Sequence, residues 1–259
     1  IGEDVGVNTG FQPPEVRASE KIHLSVEKLV NAKLKSVTFD LKKGEILGLG
    51  GLHGQGQSAL LRALYGVESK QGVITYEGRE IKLQSPRQAI KKGVAYVSGD
   101  RRRDGTITGR SILENVTPIL FLKRSIKFIR YTRTTELSKV ALTFLSTKYT
   151  SLTASIGSLS GGNQQKVIIA RWLIDKPDIL LLDDPTKGID IVTKNELFDL
   201  IRRLASGGMS IILYSSEDAE LLTNSDRILV FNNGAVTKEL TGKDRTHFNL
   251  TQASFEAAQ

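Results

Sequence analysis

The chain has 259 residues, of which 39% are hydrophobic and 25% charged, with a formal net charge of +8 and no cysteine. These proportions are those of an ordinary globular protein, and no apolar run approaches the ~20 residues that a membrane helix needs. The lack of cysteine excludes disulfide bonds and favours a cytosolic setting. Met209 is the only methionine, so we expect the chain to be a piece of a longer protein.

In chain order, the predicted elements begin with a flexible lead-in over residues 1–20, where glycines and a proline pair break any periodicity. Residues 21–45 alternate apolar and polar side chains, which predicts antiparallel strands. Residues 106–160 are predicted to form a mainly helical subdomain, because Leu, Ile and Phe recur at helical spacing over most of this segment. Between these segments we predict an apolar strand at 46–49, a glycine-rich loop, a helix at 58–64, alternating strands within 72–83 and a buried strand at 94–97.

From residue 160 onward, short apolar strands alternate with helices, which is typical of a parallel sheet covered on both faces. The prediction is therefore one α/β domain over residues 21–245, with a mainly parallel sheet, an antiparallel β-subdomain and the helical subdomain. Residues 246–259 are predicted as a C-terminal tail. The elements of this half are a helix from 160, strands at 178–182, 210–214 and 226–231, helices at 193–205 and 217–222, and a final hairpin strand at 235–240.

The glycine-rich loop, residues 51–58, reads GLHGQGQS and fits the phosphate-loop pattern G-x-x-x-x-G-K-[ST] except that Gln57 replaces the lysine. It follows a predicted strand and opens a predicted helix, as that pattern requires. Gly54 and Gly56 would let the backbone turn its N–H groups inward, and Ser58 would offer a hydroxyl to Mg²⁺. The alternative is a glycine-rich turn that binds nothing.

Two further segments carry chemistry. Residues 159–166 read LSGGNQQK and open a helix, which makes an anion site from backbone N–H groups and the helix dipole. Residues 179–184 read ILLLDD, a buried strand that ends in two carboxylates where ligands of open α/β sheets bind. Asp183 would hold Mg²⁺ through water, and Asp184 would face the attacking water. The alternative is an apolar strand whose acidic residues lie where it surfaces.

In this order, with Gly188-Ile189-Asp190 following, these motifs resemble the nucleotide-binding domain of ABC-type ATPases over roughly residues 21–240. The resemblance implies a P-loop NTPase core. Four segments are similar to the second cassette of the tandem ATPase subunits in bacterial ribose- and galactose-type sugar importers. They are GEILGL at 44–49, GDRRRDG at 99–105, LSGGNQQK at 159–166 and SSE at 215–217.

The resemblance implies two cassettes that close head to tail around two ATP molecules. This cassette's own site would bind ATP through Gly51, Gly54, Gln55, Gly56, Gln57, Ser58 and Ala59. Ser58 and Asp183 would hold Mg²⁺, and Asp184 and Ser216 would take the catalytic positions. ATP bound mainly by the partner cassette would be contacted by Ser160, Gly161, Gly162 and Gln164.

The chain departs from the family pattern at four positions of its own site. Gln57 brings no charge, and Asp184 replaces a glutamate. Ser216 takes the place of a switch histidine, and Gly99 that of a glutamine or acidic residue, for which Asp100 could partly substitute. We therefore expect a degenerate site in a domain that completes the partner's site.

The implied partners are a second cassette, expected as the N-terminal half of the same polypeptide, transmembrane permease subunits and, indirectly, a sugar-binding protein. The implied location is the cytoplasmic face of the membrane. Two alternatives stay open, a purely regulatory nucleotide-binding module and a cassette protein acting on ribosomes. Basic residues 101–103 could contact the membrane partner, lipid or only solvent, and nucleic acid is not expected. His53 is expected to be a bystander, and the three histidines are too scattered for a metal cluster.

Overall fold

The computed structural model describes residues 19–124 and 131–256, so most of the predicted lead-in lies outside the described residues. Within the described part of the chain, no helix combines the length and apolar character that crossing a membrane requires.

The larger of two sheets has six strands in the order β10-β9-β3-β8-β7-β6. All neighbours are parallel except β10, which pairs antiparallel with β9. Strands β6 to β8 are buried along their whole length, as continuous apolar runs in a covered parallel sheet should be. The strands are β3 (Ile46–Gly50), β6 (Val94–Val97), β7 (Ile179–Asp183), β8 (Ser210–Tyr214), β9 (Arg227–Asn232) and β10 (Ala235–Thr241).

The second sheet is antiparallel, with the order β2-β1-β4-β5. Side chains alternate between buried and exposed along residues 37–41, where Phe39 is a buried core residue. The second strand predicted within 72–83 is only two residues long. The strands are β1 (Ile22–Val30), β2 (Val37–Lys42), β4 (Gln71–Tyr76) and β5 (Arg79–Glu80).

Helices cover the parallel sheet and form a separate group between β6 and β7. Ser, Thr or Asp side chains cap the N-termini of α2, α3, α6, α7 and α9 in the described chain. The helices are α1 (Gln57–Leu64), α2 (Pro86–Lys91), α3 (Ile112–Val116), α4 (Pro118–Arg124), α5 (Tyr131–Phe144), α6 (Gly161–Leu173), α7 (Ile191–Ser206), α8 (Asp218–Asn224) and α9 (His247–Phe255).

The predicted α/β fold is confirmed, with parallel sheet, antiparallel β-subdomain and helical segment in the predicted order. The residues predicted as a tail include α9, whose Leu250 is fully buried and packs against Gly50.

The strand order brings three strand ends to one edge. β8 lies between β3 and β7, and Tyr214 at its end pairs in register with Leu49 on one side and Asp183 on the other. The glycine-rich loop, the two aspartates and the segment containing Ser216 therefore leave the sheet side by side.

Candidate nucleotide site

The phosphate loop joins β3 to α1 and has one packed and one open side. Gly51 has φ +113°, and a Cβ there would lie 2.2 Å from the Phe231 carbonyl oxygen, so only glycine fits. Gly54 has φ +81°, and apart from its chain neighbours no described atom lies within 4 Å of where its Cβ would be. Gly56 has φ +123°. The loop can therefore present its backbone to a ligand on the open side.

Gln57 occupies the lysine position and points into the loop. Its side chain is 1% exposed, and Nε2 donates to the carbonyl oxygens of Gly50 (3.1 Å) and Leu52 (3.0 Å). Its Oε1 is buried without a hydrogen-bond partner among the described residues. The side-chain amide therefore stabilises the loop through these two hydrogen bonds and supplies no positive charge.

The other predicted loop contacts are partly engaged elsewhere. Oε1 of Gln55 accepts a hydrogen bond from the backbone N–H of Asn233 at 2.7 Å, and its carbonyl accepts one from Gly234 at 2.8 Å. The loop is thereby attached to the turn between β9 and β10. The methyl group of Ala59 is buried in the core. Ala59 has no polar side-chain atom, so its contact with a nucleotide would come from its backbone.

The two predicted magnesium ligands lie together at the loop. The Ser58 hydroxyl donates to Asp183 Oδ1 at 2.7 Å, and the Tyr96 hydroxyl donates to Asp183 Oδ2 at 2.7 Å. Burial raises the pKa of Asp183, while these two hydrogen bonds act in the opposite direction. Among the described residues, no three His, Asp or Glu side chains form a metal cluster. A hydroxyl and one carboxylate fit Mg²⁺, which keeps waters and takes phosphate oxygens for its remaining positions.

Asp184 follows directly in a left-handed conformation, with φ +50°. Its Oδ1 accepts hydrogen bonds from the backbone N–H and the hydroxyl of Ser216, both at 3.2 Å. Asp is one of the few residue types that adopt this conformation at modest cost. The two predicted catalytic residues therefore contact each other at the sheet edge.

His53 makes a specific contact although we expected a bystander. Its Nδ1 lies 3.0 Å from the Tyr214 hydroxyl, which connects the phosphate loop to the end of β8.

Gly99 and Asp100 follow β6 and give no side chain to the aspartate pair. A Cβ at Gly99 would lie 2.8 Å from the Asp183 carbonyl oxygen, so the loop passes too close to β7 for a side chain. Asp100 accepts a hydrogen bond from the Arg103 N–H at 3.0 Å and caps a π-helical turn over Arg101–Gly105. The structure thus offers no support for Asp100 as a substitute.

The Leu-Ser-Gly-Gly segment opens α6 with an exposed N-terminus. Ser160 Oγ accepts hydrogen bonds from the N–H (3.4 Å) and Nδ2 (3.0 Å) of Asn163, and Gln164 Nε2 donates to the Leu159 carbonyl oxygen. In the described chain, no hydrogen bond connects these side chains to the phosphate loop. A Cβ at Gly162 would lie 2.3 Å from Thr193 Cγ2, so glycine permits close contact with α7. The structure therefore separates the two predicted sets of ATP contacts.

Two features of the site escaped the sequence analysis. One is Tyr96, which we interpreted only as part of a buried strand. The other is Glu220, a buried residue whose Oε2 accepts hydrogen bonds from Thr186 (2.7 Å) and Ser215 (2.5 Å). It joins the segments that follow Asp184 and precede Ser216. For Tyr96 the available signal was a polar hydroxyl within an apolar strand, and for Glu220 the segment around it, EDAELL at 217–222, gave no such signal.

The comparisons with known proteins agree with this arrangement. The family model described as ABC transporter matches residues 34–187. The chain is 41% identical over 254 residues to the ribose import ATP-binding protein RbsA 1 of Rhizobium etli. This match covers 95% of the chain and 49% of that protein, so the chain spans about half the length of this curated relative.

Two solved structures share the fold. A nucleotide-free ATP-binding cassette from an ABC transporter has a TM-score of 0.75 at 22% identity, covering 89% of this chain and 95% of that one. The dimeric post-hydrolysis state of the cassette MJ0796, bound to ADP and Pi, has a TM-score of 0.73 at 21% identity, covering 84% and 98%. The sequence motifs, the sheet order and these matches lead to one conclusion: the chain belongs to the ABC transporter family, as one of its ATP-binding domains.

Proposed function

We propose that this domain drives sugar import as the weaker half of an asymmetric pair of cassettes. Its own site binds Mg²⁺-ATP weakly and hydrolyses it slowly or not at all. Its Leu-Ser-Gly-Gly segment completes the site of a partner cassette, which carries out the hydrolysis. The similarity to a ribose import protein of about twice the length supports a sugar importer with both cassettes in one polypeptide.

The observation that carries this proposal is the position of Gln57. In a phosphate loop the lysine reaches the terminal phosphates as a cation. Here the amide faces two backbone carbonyl oxygens and brings no charge. A hydrogen bond to a charged group contributes about 1.5–3 kcal/mol, against about 1 kcal/mol for a neutral pair. Phosphate binding by backbone N–H groups remains, but without its strongest partner.

Asp184 supports slow hydrolysis in the same site. The family has a glutamate here, so the carboxylate of Asp184 is withdrawn by about one methylene. A displacement of ~1 Å can lower a catalytic rate on the order of a hundredfold. The carboxylate is also held by Ser216, which stands where the family has a histidine. Bound Mg²⁺ would supply charge neutralisation at the phosphates, and Ser58 and Asp183 are the residues that would hold it.

The α6 N-terminus supports the contribution to a partner. Ser160 is exposed, and the Asn163 side chain holds its hydroxyl at the first turn. Backbone N–H groups at this end favour an anion. Ser160 is exposed and no hydrogen bond in the described chain joins it to the phosphate loop, and the Arg101 guanidinium lies beside Gly161. A phosphate group of a second cassette's ATP is the ligand that we assign to this end.

The proposed membrane partner fits a groove of about 680 Å³ between the parallel sheet and the helical segment. Its lining combines apolar side chains with arginines, including Ile119, Leu122, Trp172, Arg62 and Arg103. Arg62 and Arg103 already pair with Glu68 and Asp104, so the groove offers a partner mainly apolar contacts. This composition suits an amphipathic segment, and we assign it to a permease subunit. The domain would then lie at the cytoplasmic face of the membrane, with the sugar-binding protein as an indirect partner.

Nucleotide binding by this 259-residue chain tests the proposal. We expect weak Mg²⁺-ATP binding by calorimetry, almost no steady-state hydrolysis, and a gain of about tenfold or more in affinity for Gln57→Lys, because a cation then faces the phosphates. Gln57→Met is the matched control, which removes the amide without adding charge and should bring no gain. Robust hydrolysis that is lost in Asp184→Asn, or equal affinity in Gln57→Lys and wild type, would contradict the proposal.

A further inference from the structure

Tyr96 lies at the boundary between the proposed magnesium site and the groove. Its hydroxyl donates to Asp183 Oδ2 at 2.7 Å, and its ring lines the groove described above. The residue is 9% exposed and stands on β6, which pairs with β7 so that Tyr96 is opposite Leu181. One side chain therefore contacts both the carboxylate and the groove.

The ring of Tyr96 belongs to an aromatic stack that runs along the groove. Tyr65 stacks on Tyr96 with ring centroids 5.2 Å apart, and Trp172 meets Tyr65 edge-on at 5.9 Å. All three residues line the groove, and Trp172 is the single tryptophan of the chain. A molecule seated in the groove would rest on this stack. Because interiors are densely packed, a displacement of one ring moves its neighbours.

The alternative route from the groove to the aspartates is closed at Gly99. A Cβ at this position would meet the Asp183 carbonyl oxygen at 2.8 Å, so no side chain can extend from it without moving the backbone. The following residue, Asp100, caps its own turn. Of the segment from Tyr96 to Asp100, Tyr96 is the residue whose side chain reaches the Asp183 carboxylate.

We propose that Tyr96 is a positioning residue that couples occupancy of the groove to Mg²⁺ binding by the Asp183 carboxylate. The inference rests on the proposed function, because it requires the magnesium site and a partner in the groove. The hydroxyl fixes the orientation of Oδ2 while Oδ1 faces Ser58 and the site. Loss of a hydrogen bond to a metal-binding carboxylate typically weakens metal binding 10- to 100-fold. Coupling between two sites is reciprocal, so Mg²⁺ binding must change the affinity of the groove for its partner by the same factor by which the partner changes the affinity for Mg²⁺.

The test is a Mg²⁺ titration of the ATP-bound 259-residue chain, made in the native and the Gln57→Lys backgrounds. In Tyr96→Phe, which keeps the ring and removes the hydroxyl, we expect Mg²⁺ affinity to fall about tenfold or more. ATP binding without Mg²⁺ should be unchanged. Tyr76→Phe is the matched control, since it removes a tyrosine hydroxyl from the other sheet. Thermal unfolding verifies that both variants are folded.

The fluorescence of Trp172 gives a second readout that does not depend on activity. In the native chain, Mg²⁺ should change the Trp172 emission, and Tyr76→Phe should preserve this response. Tyr96→Phe should lose it. Native Mg²⁺ affinity and native Trp172 response in Tyr96→Phe would overturn the role of Tyr96 and leave the proposed function intact. Absence of Mg²⁺-ATP binding in both backgrounds would overturn the proposed function and the role of Tyr96 together.

Discussion

Gln57 and His23 are buried polar side chains that the protein uses in different ways. At Gln57, one amide hydrogen-bonds to the loop carbonyls while its own oxygen stays without a partner in the described chain. A buried acceptor without a hydrogen-bond partner costs about 1–3 kcal/mol. At His23, the imidazole is 3% exposed, and Nδ1 lies 2.6 Å from Ser210 Oγ. This contact joins the antiparallel sheet to β8.

The pH dependence of stability tests the burial of His23. Burial lowers its pKa from 6.5, partly opposed by the nearby Asp178 and Glu77 carboxylates. Below pH 6.5 the unfolded chain therefore binds more protons than the folded one, and the free energy of unfolding falls until the folded pKa is reached. In His23→Asn, the free energy of unfolding should depend on pH less steeply, by up to about 1.4 kcal/mol per pH unit.

Urea unfolding between neutral pH and pH 5 measures that slope. The control is His247→Asn, since the His247 side chain is exposed on α9. An unchanged slope in His23→Asn, or an equal change in both variants, would contradict the burial of a neutral imidazole.

At the scale of elements, the site depends on how closely α6 approaches α7. Asp190 caps α7 by accepting hydrogen bonds from the N–H (3.0 Å) and the hydroxyl (2.9 Å) of Thr193. This fixes the Thr193 methyl group against Gly162, in the first turn of α6. The two helix N-termini are therefore held side by side, next to the exposed Ser160.

Gly162→Ala should show the reverse of the usual helix preference. Alanine in a helix is normally about 1 kcal/mol more favourable than glycine. Here its Cβ would lie 2.3 Å from Thr193 Cγ2, so we expect a loss of about 1–3 kcal/mol. Thr193→Ser removes that methyl group and keeps the hydroxyl bonded to Asp190. The double variant should lose less than the sum of the single losses in urea unfolding, and a stable Gly162→Ala would refute the close packing.

The sequence analysis predicted the elements better than it predicted how their side chains are used. The strand at 210–214 and the buried strand at 94–97 match the structure, because continuous apolar runs specify covered parallel strands. The hydrogen bond from Asn233 to Gln55 spans 178 residues, and no local pattern encodes such a contact. The position of Tyr96 beside Asp183 likewise follows from the pairing of β6 with β7, which only the fold reveals.

At the scale of the whole molecule, the proposed function divides the two sets of ATP contacts between different cassettes. The phosphate loop, the two aspartates and Ser216 gather at one sheet edge. There, Gln57, Asp184 and Ser216 stand at positions where the family pattern has a lysine, a glutamate and a histidine. The Ser160 end of α6 lies apart from them, and its first turn is intact. On the proposed function, such a domain contributes more to its partner's site than to its own.

The most direct measurement compares Ser160→Arg with Asp184→Asn in the assembled transporter, by steady-state ATP hydrolysis. Ser160→Arg places a bulky cation at the α6 N-terminus, so we expect hydrolysis to fall on the order of a hundredfold, because the partner's ATP loses its correct position. Asp184→Asn changes only this domain's own site and should leave most of the activity. Loss of activity in Asp184→Asn together with retention in Ser160→Arg would contradict the account.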